Sequence, residues 1–325
     1  MRRQVAGQAA GQVVAQVQAG LARPWRQRAA APWRALAGIA AATAVAAAVA
    51  LPARAAVTVQ DDQGQRTTLA RPPERIVTLM PSLTEAVCAL QACERLVGVD
   101  RFSDWPARVQ PLPRLGGLED TPIERLVALK PDLVLAPVSS RAVERLRGLG
   151  LNVVALEPKR LDEARRMLET VAQALGRPGA GEALWAGVLQ RLEAAAARVP
   201  PALRGRTVYF EVSSAPYAAS EASFVGEVLA RLGLVNIVPA AMGPFPKLNP
   251  EYVVRAQPAL VMATAREVAA MPARPGWSAL EALRAQRTCA IPPARYEVLV
   301  RPGPRLAEAA EAVVDCLVGL DARAR

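Results

Sequence analysis

The chain has 325 residues and no histidine, which removes imidazole bases, serine–histidine triads and histidine-held zinc from consideration. Its formal charge of +11 is misleading, because seven of the 40 basic residues and none of the 29 acids fall in residues 1–55, leaving 33 against 29 downstream. That near balance is no electrostatic footprint for nucleic acid, and the length suggests two domains or one large one, with room for a substantial core.

From the N-terminus, Arg34 precedes an apolar run, Ala35 to Leu51, which meets Pro52-Ala53-Arg54-Ala55. A basic flank, an apolar stretch and a small-x-small site predict a Sec-type signal peptide within residues 1–55, cleaved near Ala55, and hence a periplasmic protein. A membrane anchor is the alternative, but the run is only about 17 residues and mostly alanine. No cysteine stands at the cleavage site, so a lipid anchor is not expected.

Downstream, short apolar runs alternate with helical patterns. Strands are predicted at Ile76–Met80, Leu96–Val99, Leu133–Ala136 and Val153–Leu156, then at Val208–Val212, Asn236–Val238, Leu260–Ala263 and Cys289–Ile291. Helical patterns occupy Thr121–Leu129, Ala142–Leu149 and Glu221–Leu232. Such alternation predicts an α/β fold with parallel-type sheets flanked by helices. Residues 178–200 read as one rigid linking helix, roughly 30 Å long, ending at Pro200-Pro201. It separates two similar lobes, 57–175 and 203–321.

The cysteines are Cys88, Cys93, Cys289 and Cys316. Four cysteines allow three connectivities, and export makes disulfides permissible. Cys88 and Cys93 are close enough to staple a helix end to its following loop, which leaves Cys289 with Cys316. A metal site is the alternative, without the paired CxxC spacing such sites prefer.

The two lobes carry an internal echo. Glu124-Arg-Leu-Val-Ala-Leu-Lys-Pro131-Asp-Leu-Val-Leu-Ala136 aligns without a gap, at an offset of 127 residues, on Glu251-Tyr-Val-Val-Arg-Ala-Gln-Pro258-Ala-Leu-Val-Met-Ala263. Each copy reads as helix, proline stop and buried strand. Two like lobes imply a cleft between them, where small ligands bind, and a helical connector resists wide hinge closure.

Three stretches, Ile76-Val-Thr-Leu-Met-Pro-Ser-Leu-Thr-Glu85, Leu96-Val-Gly-Val-Asp-Arg-Phe-Ser-Asp-Trp-Pro106 and Ile123-Glu-Arg-Leu-Val-Ala-Leu-Lys-Pro-Asp-Leu-Val134, resemble the helical-backbone periplasmic binding proteins (the class III fold) over about residues 72–320. The family serves ABC importers of cobalamin, haem and ferric siderophores, and its cobalamin-binding members are the most similar. The resemblance implies a non-enzymatic monomer with no cofactor or resident metal. Its ligand would be cobalamin or a related corrinoid, with a ferric siderophore or haem as the alternative. An enzyme on the same two-lobed scaffold is a remote third reading.

The resemblance also implies that Glu124 and Glu251, one acid per lobe, dock onto arginines of the permease subunits. Thr121-Pro-Ile-Glu124 and Asn249-Pro-Glu251 each read as a polar cap, a proline in the first turn and an acid, with Glu124 also able to close a capping box. Ordinary helix-end electrostatics is the competing explanation. Pocket positions carried over from the family are Phe102, Leu118, Tyr217, Phe245, Glu297 and Arg301, with Trp105 in the same polar turn as Phe102. Glu297 and Arg301, four apart, could instead pair with each other. Where the cobalamin binders have tryptophans this chain offers Leu118, Pro137 and Phe245. For haem, Tyr217 and then Tyr296 are the candidate iron ligands.

Overall fold

The computed structural model describes residues 56–214 and 216–324, so the expected signal peptide lies outside the described residues. The first element is an antiparallel hairpin of β1 (Val57–Gln60) and β2 (Arg66–Leu69). It is too short and too weakly alternating to have stood out in the sequence.

The first lobe runs β3 (Ile76–Thr78), α1 (Pro81–Ala89), β4 (Leu96–Val99), α2 (Ile123–Ala128), β5 (Leu133–Ala136), α3 (Ala142–Gly148) and β6 (Val153–Ala155). Two long helices follow, α4 (Leu161–Ala174) and α5 (Ala180–Ala197). The second lobe contains β7 (Thr207–Ser213), β8 (Tyr217–Ala218), α6 (Phe224–Arg231), β9 (Val235–Asn236), α7 (Pro250–Ala256) and β10 (Leu260–Thr264). It continues through α8 (Ala265–Ala270), α9 (Glu281–Arg284) and β11 (Thr288–Ile291), and closes with α10 (Pro293–Leu299) and α11 (Leu306–Ala324).

Each lobe holds its own sheet. The first has the order β4-β3-β5-β6, every pair parallel. The second has the parallel order β9-β7-β10-β11, with β8 added antiparallel to the far end of β7. Taken by chain order of the parallel strands, both lobes read second-first-third-fourth. The sequence echo therefore marks the same place twice: α2 leads into β5 and α7 into β10, both central strands.

Strand residues alternate between two cores, as a period of two requires. Ile76, Leu133, Leu135, Val208, Phe210, Leu260 and Met262 face one cluster that spans both lobes. Val77, Val134 and Ala136 face a second cluster private to the first lobe, and Tyr209, Val261 and Ala263 a third private to the second. The shared cluster also takes in Trp185, Val188, Leu192 and Ala195 of α5 and Val313, Leu317 and Leu320 of α11.

The linking helix is thus no free-standing rod. It packs against α4 and α11, burying Gly181, Trp185, Val188, Leu192 and Ala195 along one stripe at alternating spacings of four and three. Gly181 is required there, because a Cβ would stand 2.5 Å from the backbone of Glu169 in α4. Arg191–Glu311 and Arg198–Asp315 tie the outer surfaces of α5 and α11; exposed pairs of this kind contribute no more than about 1 kcal/mol each. The lobes are held by burial, and their relative position is built into the core.

Cys88 is bonded to Cys93 and Cys289 to Cys316, so the described residues contain no free thiol. With all four sulfurs in disulfides, the alternative of a cysteine metal site is gone. No helix among the described residues is long and apolar enough to cross a membrane.

Candidate functional site

In open parallel sheets, ligands bind beyond the carboxyl ends of the strands, where neighbouring strands lead off in opposite directions. In the first lobe, of strand order β4-β3-β5-β6, that reversal falls between β3 and β5, and the turns after β3 and its neighbour β4 stand beside it. β3 runs through Leu79-Met80 into α1, and β4 runs into the turn Asp100-Arg-Phe-Ser-Asp-Trp-Pro106. A buried ladder of short polar side chains fixes that turn. Thr78 Oγ1 lies 2.6 Å from Thr84 Oγ1, which lies 2.6 Å from Ser103 Oγ, and the Ser103 hydroxyl donates to Asp100. Asp100 also accepts the Phe102 N–H at 2.8 Å, and Arg114 donates to the Ser103 carbonyl. Burial pushes the Asp100 carboxyl up, against the Ser103 and Phe102 hydrogen bonds that favour its charge.

With the backbone pinned from below, the two aromatic rings point out. Phe102 is 60% exposed and Trp105 37%. The Phe102 ring lies over Gly117, whose missing Cβ would come within 3.4 Å of it. Leu118, next in the chain, is also an exposed apolar side chain.

The second lobe closes on this turn through α10 and the loop that follows. Arg301 is buried, and its two terminal nitrogens meet four acceptors. Nη1 donates to Glu85 Oε1 at 3.1 Å and Asp104 Oδ1 at 2.8 Å; Nη2 donates to the Phe102 carbonyl at 3.1 Å and to Glu297. Burial by itself works against the guanidinium charge, but the hydrogen bonds it donates to Asp104 and Glu85 outweigh it and raise the Arg301 pKa. Arg305 lies 3.6 Å from Glu85 and stacks 4.4 Å above the Trp105 ring. Glu85, in α1, is buried; desolvation pushes its carboxyl up, opposed by Arg301 and Arg305, and its second oxygen has no partner among the described residues. A depression of about 380 Å³ opens above these groups, lined by Met80, Ser82 and Phe102 from one lobe and Glu297, Val300 and Arg301 from the other. A larger hollow, about 680 Å³, sits beside β11 and is lined by second-lobe residues alone.

The family model for the periplasmic binding proteins matches residues 76–294, taking in both sheets and the helices between them. The chain belongs to the periplasmic binding protein family. This binding protein is 27% identical over 271 residues to an uncharacterized ABC transporter substrate-binding lipoprotein of Bacillus subtilis, covering 80% of this chain and 85% of that one. To the vitamin B12-binding protein of Vibrio cholerae it is 28% identical over 248 residues, 74% of this chain and 88% of the relative. Among solved structures, the periplasmic vitamin B12 binding protein of Vibrio cholerae superposes with a TM-score of 0.64 at 27% identity, over 77% of this chain and 98% of that one. The periplasmic heme-binding protein of Roseiflexus sp. RS-1 gives 0.64 at 28% identity, over 76% and 98%.

In this binding protein the sequence-picked pocket residues fall into two groups. Phe102, Glu297 and Arg301 surround the inter-lobe depression, and Trp105 joins them through Arg305. Arg301 pairs with Glu297, as their spacing allows, but also with Glu85 and Asp104, so its terminal nitrogens are spent on protein groups and not held out for a ligand. Leu118, Tyr217 and Phe245 do not line this depression. Tyr217 stands on β8, bridged to Lys247 and 41% exposed. Phe245 packs edge-on against Phe224, and Pro137 is buried.

Two further expectations are corrected. Tyr296 is not available to an iron: it is 7% exposed, stacked on Phe210, and donates its hydroxyl to the carbonyls of Glu211 and Val212. Burial and the neighbouring Glu211 push its phenol well above the ordinary range. The Thr121–Glu124 capping box does not form. α2 begins one residue later, capped by Pro122, and the Thr121 hydroxyl donates to the Gly117 carbonyl instead. Asn249, in contrast, caps α7 as its sequence suggests, accepting the Glu251 N–H at 3.0 Å. Both Glu124 and Glu251 are exposed, and Glu124 meets Arg145 at 3.1 Å.

Glu85, Asp104 and Arg305 escaped the sequence reading. An acid in the middle of an apolar helix, Leu83-Thr-Glu-Ala-Val87, was the signal for the first; an arginine one turn beyond Arg301 was the signal for the last.

Proposed function

We propose that this chain is the extracytoplasmic substrate-binding component of an ABC importer, acting as a monomer that takes cobalamin or a related corrinoid into the inter-lobe cleft. The observation that carries the reading is the pair of bare aromatic rings in the turn after β4, Phe102 60% and Trp105 37% exposed, with Phe102 on the wall of the inter-lobe depression. Aromatic and aliphatic walls suit a broad flat ligand. The identity to the vitamin B12-binding protein of Vibrio cholerae supports the corrinoid in particular.

Two disulfides and membership of this family support a location outside the cytoplasm. The role assigned is capture and delivery, with no catalytic step. Delivery would run through Glu124 and Glu251. Their exposure at topologically matched helix starts, one per lobe, supports a two-point contact with paired cations on the permease.

Haem is the second reading, favoured by the exposed phenol of Tyr217 and by the heme-binding protein of Roseiflexus among the similar structures. Titrating the purified protein with cyanocobalamin, haemin and a ferric hydroxamate, followed by absorbance, separates the cases. Cyanocobalamin should saturate one site at ~1 μM or below. Saturation by haemin alone, with a new band lost in Tyr217→Phe, replaces the corrinoid with haem.

A further inference from the structure

The wall that the first lobe offers to the cleft is held by cations of the second. Arg301 reaches across to the Phe102 carbonyl and the Asp104 carboxylate, while Arg305 lies over the Trp105 ring. Three consecutive features of the turn 102–105 are therefore gripped from a segment about 200 residues away in sequence. The turn's own lobe supplies the rest of its support, through Asp100, Ser103 and Arg114 from below, Gln110 Nε2 donating to the Asp104 carbonyl at 3.2 Å and Arg101 5.7 Å from the Phe102 ring. The grip is anchored: Glu85 sits between the two arginines, buried in α1, and takes Arg301 Nη1.

A ligand contact would need a nitrogen free to point into the depression. Both terminal nitrogens of Arg301 already have two acceptors apiece, and the side chain is 8% exposed. Guanidinium geometry suits this use, since its planar fork serves several acceptors at fixed angles where a lysine would offer a single point charge.

We propose that Arg301 and Arg305 are positioning residues that set the angle of the Phe102 and Trp105 rings, so that the shape of the cleft wall is decided jointly by the two lobes. The proposal rests on the cleft being the ligand site, and it concerns how that site is shaped, not which ligand fills it.

The test has a ligand-free arm and a binding arm. Trp185 and Trp277 are buried while Trp105 is exposed, so acrylamide quenching of the parental protein, minus that of Trp105→Phe, reports the Trp105 ring. Arg305→Met removes the stack alone. Arg301→Met paired with Glu85→Gln removes the tie without stranding a buried charge, a penalty that would otherwise threaten folding. Both variants should raise the Trp105 quenching constant about twofold or more and weaken cyanocobalamin binding about tenfold, equivalent to ~1.4 kcal/mol. Arg301→Lys, which keeps the charge but not the fork, should fail to restore either. Parental quenching and parental affinity in both variants would overturn the proposal. So would weakened binding with unchanged quenching, since Arg301 would then touch the ligand directly, and so would altered quenching with unchanged affinity. If the parental protein binds haemin and not cyanocobalamin, the corrinoid reading falls; haemin becomes the probe and the same three outcomes decide the positioning role. Binding of neither probe removes the cleft reading and the positioning role with it, whatever the quenching arm shows.

Discussion

Lys130 and Gln257, at equivalent places in the two lobes, adopt the same left-handed backbone, φ 47° and 41°, each directly before the proline that opens a central strand. Non-glycine residues avoid this region at a cost of roughly 1–2 kcal/mol, so its recurrence marks a geometrical demand. The chain must leave a short helix and enter a parallel strand at once. A left-handed residue followed by proline does both, because proline cannot continue the helix.

Substitution at the two sites should differ. Lys130 is exposed, and Lys130→Gly should stabilise the protein by ~0.5–1 kcal/mol in urea unfolding, the relief of left-handed strain exceeding the flexibility added to the unfolded chain. Gln257→Gly should gain less or lose, because the Gln257 side chain accepts from the Glu281 N–H at 3.2 Å and donates to the Val254 carbonyl at 2.9 Å.

Charge reversal of the paired acids, Glu124→Arg with Glu251→Arg, should abolish stimulation of the partner importer's ATPase and leave the affinity for cyanocobalamin unchanged. Stability should move little. The Arg145–Glu124 pair is exposed on both sides, and such pairs contribute ~0–1 kcal/mol. Reconstituted ATPase assays alongside ligand titration check both halves; a parallel loss of affinity would remove the docking role.

The pH dependence should carry the mark of Glu85. Burial raises its folded-state pKa above the ordinary 4.5, so between those two values the folded protein holds a proton that the unfolded chain has released. The stabilisation is therefore fully present below the unfolded pKa and is lost as pH rises through the folded one. The stability of the parental protein relative to Glu85→Gln should fall as pH rises from the ordinary 4.5 through the raised folded value. Asp120 should act in the opposite sense. The hydrogen bond from Arg101 holds its carboxyl below the usual range, so its contribution is lost on acidification. Urea midpoints of Glu85→Gln above about pH 4.5 and of Asp120→Asn below about pH 3.8, each against the parental protein, separate the signs.

The two disulfides should differ in worth. Cys289–Cys316 spans 27 residues and Cys88–Cys93 only 5. On the chain-entropy account, replacing the first pair by serine should cost ~3.5 kcal/mol and the second ~2 kcal/mol, measurable as urea midpoints at constant slope. The longer bond should matter more because it fastens β11 at the sheet edge to α11, which carries part of the shared core.

What the sequence determined by itself was everything set by neighbours in the chain. Apolar runs and their flanking breakers located all the parallel strands to within about two residues. The unbroken stretch after Gly179 identified α5, and the helix–proline–strand repeat told that the lobes share a topology. Spacing separated the cysteines into a short pair and a long one. The tertiary structure decided what depends on burial and on partners distant in sequence. Arg301 and Glu297 could be read as a pair because they are one turn apart, yet the groups that fix its role, Glu85 and the 102–105 turn, lie about 200 residues earlier. Tyr296 looked available for the same reason: no local pattern records that the carbonyls of Glu211 and Val212 would take its hydroxyl. Local periodicity encodes which face of an element turns inward, but only the packed core determines which inward faces meet and which polar groups that meeting consumes.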